Sequence, residues 1–306
     1  MRRIFAASIA ALALVGLVGC GSNDNGAAPT PTQSAQETAD LSFDVSGIKK
    51  VDSIAAMLPE QIANRGKIII GASIDYPPAQ FRAEDLQTAL GYEVDLGKAL
   101  GKVLGIETEV YDAEFASLLP SIGSKIDIGM SSFTITPERV ANYNMIQHIM
   151  VGSSFAVQNG NPKGFDPNFI CGTVIAVQTG TFQEEDLGDK SAACAAAGQS
   201  PITVLSYGRQ SEATTNVVGG KADAFYADST VADYASNLTD GKLHVIGGRL
   251  DAEPQGIVVS QEDEKMTEAL AAAMQHLMDD GTWQAILKNW GVDETAALTE
   301  AKVHRS

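Results

Sequence analysis

From Lys67 onward the chain alternates short β-rich runs with stretches of helical periodicity, and that alternation limits the folds open to it. Residues 67–72, 109–111 and 126–130 read as strands. Val94, Leu96, Ala99, Leu100, Val103 and Leu104 recur at near-helical spacing, and 115–122 reads as a further helix. The alternation resumes with strands at 173–177, 202–206, 222–227, 243–246 and 256–259, and with helices at 183–197, 210–218 and 230–237. Helices at 262–278 and 283–290 close the chain, and 51–63 reads as a short lead-in helix. Strands separated by helices argue for an α/β fold with mostly parallel sheets covered on both faces.

The chain has 306 residues, which suggests about two domains. Apolar residues make up 44%, enough for a substantial core, so wholesale disorder is excluded. Acidic side chains number 38 against 21 basic, a net charge of −17, and such a surface disfavours nucleic-acid binding.

The N-terminus carries a separate signal. Met1-Arg2-Arg3 is basic, and residues 4–19 form an apolar run too short to span a bilayer comfortably, so 1–19 reads as a removable signal peptide. The run ends in Leu17-Val18-Gly19-Cys20, which resembles a bacterial lipobox. That resemblance implies a mature chain beginning at a lipidated Cys20, held at the membrane by acyl chains contributing about 0.8 kcal/mol per buried CH₂. Residues 21–40 lack large apolar side chains and are expected to form a flexible stalk. Nothing after Gly19 has the length of a transmembrane helix. Cys171 and Cys194 remain, and in an exported chain they are expected to form a disulfide, the alternative being two buried thiols.

Catalytic and metal motifs are mostly absent. The four histidines are scattered with no metal-ligand spacing, so neither a metal nor a cofactor is expected. Residues 91–98 resemble a phosphate loop only superficially, with five residues between the glycines and Ala99 where a hydroxyl would hold magnesium. No Gly-x-Ser-x-Gly elbow occurs.

The segment Ser131-Ser132-Phe133-Thr134-Ile135-Thr136-Pro137-Glu138-Arg139 follows directly on a strand. It offers hydroxyls and helix-start N–H groups at one spot, with an arginine placed to hold a carboxylate bidentately. The alternative is a capped helix with a solvated arginine. This segment also resembles the carboxylate-binding motif of the polar-amino-acid branch of the extracellular solute-binding proteins, which have the type 2 periplasmic binding fold and serve ABC importers. The resemblance runs from about residue 67 to residue 292 and includes Gly66-Lys67-Ile68-Ile69-Ile70-Gly71, Tyr76-Pro77-Pro78, Gly91-Tyr92-Glu93-Val94-Asp95-Leu96, Gly180-Thr181-Phe182-Gln183-Glu184 and Asp280-Gly281-Thr282-Trp283.

The resemblance implies that Arg139, Ser132 and Thr134 grip a ligand α-carboxylate, joined by Thr181 and the backbone at Phe182 on a helix N-terminus. Asp228 would receive the α-ammonium, or cap the helix that follows, or both. Tyr76 and Phe115 would form aromatic walls, where ordinary core packing is the alternative. Ser73, Ala79, Asn144, His148 and Phe182 depart from the family's usual residues, which implies an atypical side-chain pocket.

The expectation is thus an α/β, two-lobed type 2 periplasmic binding fold with two crossover strands as hinge. Its parts would be the signal peptide 1–19, a lipidated Cys20 with tether and lead-in helix over 20–65, lobe 1 from 66–152 and 254–292, lobe 2 from 153–253, and a tail at 293–306. The implied function is an extracytoplasmic, lipid-anchored and monomeric binding protein that delivers an amino acid or derivative to an ABC permease. The rivals are an enzyme on the same fold, for which Glu184 and Glu114 are the nearest catalytic candidates although both look like helix-surface residues, and a ligand-sensing module.

Overall fold

A computed structural model describes residues 41–239 and 241–306. The signal peptide, the stalk and Cys20 lie outside the described residues. Among those described, no helix is long and apolar enough to cross a membrane.

Strand β1 (Lys67–Ala72) pairs in parallel with β2 (Glu107–Asp112) and β3 (Ile128–Gly129). Two long strands follow, β4 (Tyr143–Gln158) and, later in the chain, β8 (Leu243–Ser260). Between them come β5 (Val174–Gln178), β6 (Thr203–Tyr207) and β7 (Ala224–Asp228). The sheet order is β2-β1-β3-β8-β4-β7-β5-β6, with β9 (Val303–His304) added on β4. The two ends are parallel as the alternation implies, but the middle is not. β8 runs antiparallel to β3 and β4, and β7 antiparallel to β4.

The antiparallel middle is where sequence reading was least accurate. Segment 143–158 extends well beyond the crossover strand expected near 152–157, which was read short because Asn144, His148, Ser153 and Ser154 interrupt the apolar pattern, yet all four are buried. β8 was read as two strands because Gly247 and Gly248, both at positive φ, and Pro254 break the run. The structure absorbs the break as register shifts between Ile246 and Leu250 and around Glu253 to Gly256.

Helix α1 (Tyr92–Leu104) buries every residue of its predicted apolar stripe. It begins at Gly91, whose φ of 125° and close approach to the Ala79 carbonyl leave no room for a Cβ. Its Asp95 accepts hydrogen bonds from the Phe43 amide and from Trp290 Nε1, both at 2.8 Å, tying the segment ahead of β1 and a residue near the C-terminal end to one carboxylate. The C-terminal segment expected as a tail instead packs against the body through β9. The lead-in helix divides into Asp52–Ala55 and Glu60–Arg65. Helices α2 (Phe182–Ala196), α3 (Gln210–Val218) and α4 (Ser229–Leu238) cover the β5–β7 end, while α5 (Glu264–Asp279) and α6 (Thr282–Asn289) pack with α1.

Cys171 and Cys194 are bonded, their Cα atoms 5.6 Å apart, joining the loop before β5 to α2. Closing a loop of 23 residues stabilises the fold by roughly 3 kcal/mol in the chain-entropy model. Replacing both cysteines by serine is therefore expected to lower the urea stability by about that amount, and an unchanged midpoint with unchanged slope would contradict the assignment.

Candidate functional site

The site forms where strand ends and helix starts from both ends of the sheet converge. Thr136 caps the short helix Pro137–Val140 by accepting from the Arg139 amide at 3.3 Å, and this sets the direction of the arginine. Arg139 Nη1 then donates to Thr134 O at 2.8 Å and Nη2 to Gly180 O at 3.2 Å. Its guanidinium carbon lies 5.7 Å from the ring centres of both Phe115 and Phe133. A guanidinium has five N–H groups, so three remain for another acceptor. Burial pulls the Arg139 pKa below its ordinary value, opposed by the Glu185, Asp228 and Glu138 carboxylates. Gly180 has a φ of 81°, and a Cβ there would sit 3.0 Å from Ala116, so glycine lets the two ends of the sheet approach.

Asp228 ends β7 and begins α4, but its side chain makes no cap hydrogen bond. Its carboxylate oxygens meet glutamine side chains instead. Its Oδ1 accepts from Gln183 Nε2 at 2.8 Å and its Oδ2 from Gln255 Nε2 at 2.6 Å, while its amide donates to Tyr76 Oη at 3.1 Å. Burial pushes its carboxyl up to about 6; the two glutamine bonds and Arg139 restrain the rise, and Glu93 adds to it.

All eight residues read from the sequence as ligand-binding, Tyr76, Phe115, Ser132, Thr134, Arg139, Thr181, Phe182 and Asp228, line one narrow, nearly closed cavity of about 10 Å³. Thr181 is partly committed, since its hydroxyl accepts from the Glu184 amide at 3.2 Å as the cap of α2 and donates to Gln178 O at 2.7 Å. Ser132 has a φ of 54°, and Glu93 holds it there: Oε2 accepts from the Ser132 amide at 2.7 Å while Oε1 meets His148 Nε2 at 3.0 Å, both partners buried.

Several contributors were missed. Gln178, Gln183 and Ser131 also line the cavity, and Gln255 and Glu93 support it from behind. Gln183, Ser131 and Glu93 lie inside recognised motifs and could have been found; the amides of Gln178 and Gln255 carry no charge or spacing signature.

The departures at Ala79, Asn144 and His148 do not shape the pocket. Ala79 and His148 are core residues at 0% exposure, and Asn144 Nδ2 donates to Thr267 Oγ1 at 3.2 Å, away from the cavity. Ser73 lies one layer behind, its hydroxyl accepting from Gln178 Nε2 at 3.3 Å. Glu184 accepts from the Gly180 amide at 2.6 Å and Glu114 is exposed, and neither lines the cavity.

Contacts across the cleft rim hold the two ends together. Arg209 pairs bidentately with Asp112 at 2.9 and 3.1 Å, and Asp75 accepts from the Ser211 amide at 2.9 Å. Among the described residues no group of acidic, histidine or cysteine side chains could hold a metal.

A two-ended α/β architecture closing on a cavity with one guanidinium and one carboxylate defines a two-lobed small-molecule binding protein. Residues 68–293 match the bacterial extracellular solute-binding proteins, family 3, and the chain belongs to that family. It is 38% identical over 256 residues to the arginine-binding protein ArgT of Corynebacterium glutamicum, covering 83% of each chain. Among solved structures it is similar to the P235GK mutant of ArgBP from T. maritima, with 27% identity, a TM-score of 0.68, and coverage of 76% of this chain and 98% of that one. It is equally similar, at 26% identity and a TM-score of 0.68, to the ancestral amino acid-binding protein AncCDT-1, described as a precursor of cyclohexadienyl dehydratase, again covering 76% of this chain and 98% of that one.

The Asp228 carboxyl is expected to titrate near pH 6 in carboxyl-selective NMR of the free protein, and Gln255→Ala should raise the value further by removing a bond to the charged form. Titration in the ordinary aspartate range would overturn this description of its surroundings.

Proposed function

We propose that the protein captures an amino acid between its lobes and delivers it to an ABC permease. The observation carrying this reading is the pairing of Arg139 with Asp228 on one closed cavity, opposite charges matched to an α-carboxylate and an α-ammonium. The carboxylate would lie on the free N–H groups of Arg139, with Ser132, Thr134 and the start of α2 around it. The ammonium would lie on Asp228, and Tyr76, Phe115 and Phe182 would flank the aliphatic part. The names of the relatives, which bind arginine and other amino acids, support the same class of ligand.

Lobe 1 is taken as 66–152 with 254–292 and lobe 2 as 153–253, β4 and β8 forming the hinge. The family places the mature protein outside the cytoplasm, and Cys20 would anchor the monomer to the membrane there. An enzymatic reading needs a carboxyl free to exchange protons with the ligand. The cavity's one carboxylate, Asp228, has both oxygens already accepting amide N–H bonds, which favours holding a cation over transferring a proton.

A charge-assisted hydrogen bond contributes about 1.5–3 kcal/mol, so Arg139→Ala and Asp228→Ala should each weaken binding about tenfold to 150-fold in calorimetry. Arg139→Lys should not restore it, because an ammonium lacks the two-pronged grip. The raised Asp228 pKa gives the pH dependence its sign. The ionised form binds the ammonium, so affinity is lost as pH falls through about 6 and should drop about tenfold by pH 5. Wild-type affinity in Arg139→Ala would remove the amino-acid reading.

The anchor is tested separately. Cys20→Ser should move the protein from the membrane fraction to the soluble fraction, and a processed, membrane-bound variant would refute lipidation.

A further inference from the structure

The charge inventory of the cavity goes further than the class of ligand. Its lining residues carry one positive group, Arg139, and one negative group, Asp228. Both are consumed by the charges attached to the ligand's α-carbon, a step that rests on the amino-acid reading above. The side chain must then end against what remains.

What remains is a wall of neutral groups hydrogen-bonded to one another and to neither clamp residue. Gln178 Nε2 donates to Ser73 Oγ at 3.3 Å and to Gly208 O at 3.4 Å. Ser131 Oγ accepts from the Ser73 amide at 3.0 Å and from Gln80 Nε2 at 3.1 Å. All four side chains are about 1% exposed.

Three of the carboxylates around this wall are committed elsewhere, and the fourth is exposed. Asp112 pairs with Arg209 and Arg82, Asp75 accepts from the Ser211 amide, and Glu93 holds the Ser132 amide and His148. Glu114, beside Gly208 at the rim, faces solvent.

A third charge brought into this cavity would be desolvated without a counter-charge. The aromatic faces of Tyr76 and Phe115 return only part of that cost to a cation and nothing to an anion. We infer that the site selects amino acids with an uncharged, hydrogen-bonding side chain, a carboxamide fitting the Gln178–Ser131 wall, and discriminates against arginine, lysine and glutamate. A carboxamide presents both a donor and an acceptor, and the wall's amides and hydroxyls can meet each.

The arginine-binding names of the relatives make arginine the demanding competitor. Calorimetry on the mature chain at about pH 7.5 with glutamine, arginine, lysine and glutamate is the test. Glutamine should bind at least about tenfold more tightly than the other three. Gln178→Glu, which puts a carboxylate at the wall, should shift the arginine-to-glutamine affinity ratio at least about tenfold toward arginine. Arginine binding as tightly as glutamine in the wild type would overturn the inference and leave the amino-acid reading standing. An unchanged ratio in Gln178→Glu would overturn the placement of the side chain against this wall. If none of the four binds at millimolar concentration, the selectivity inference falls, and the amino-acid reading is left to the Arg139→Ala test above.

Discussion

The pairing of β4 with β8 is the constraint on which the rest depends. These strands run antiparallel from Tyr143 with Ser260 to Gln158 with Leu243, with register shifts on β8 between Ile246 and Gly256, and they sit between the parallel ends of the sheet. A pair this long carries polar residues in buried positions, and each is given a partner. Asn144 finds Thr267, His148 finds Glu93, Ser153 finds Gln183 and Ser154 finds the Gly248 carbonyl. An unpaired polar group in such a place costs about 1–3 kcal/mol, so these partners make the antiparallel join tolerable inside a core.

The cleft applies the same rule to charges. Asp228 is buried and Arg139 half-buried, and neither touches the other in a direct ion pair. The carboxylate is held by two glutamine amides and the guanidinium by two backbone carbonyls. Neutral dipoles stabilise each charge enough to keep it in place while leaving it able to take a counter-charge. The upward shift of Asp228 measures how incomplete that compensation is. A direct Arg139–Asp228 pair would satisfy both groups and leave nothing for a ligand.

The rim contacts play a lesser part. Arg209 and Asp112 are well aligned, but their side chains retain 26% and 18% exposure, and pairs open to solvent contribute on the order of 1 kcal/mol or less. Such a contact biases closure without dominating it.

Much of this was legible in the sequence for a physical reason. Parallel strands buried on both faces are continuous apolar runs, and helices covering them carry an apolar stripe, so β1, α1 and α3 were read almost to the residue. The candidate cleft residues were legible chiefly through the resemblance to the solute-binding family; only the Ser131–Arg139 segment suggested a site from its own hydroxyls, helix start and arginine. Tertiary structure decided what depends on distant partners. It set the antiparallel course of β4 and β8, whose buried polar residues look like interruptions until their partners are known. It placed Ala79, Asn144 and His148 in the core and not in the pocket. It also brought Gln178, Gln183 and Gln255 to the cleft from two elements and a crossover, since an amide's role comes from the atoms it meets and leaves no periodicity or spacing behind.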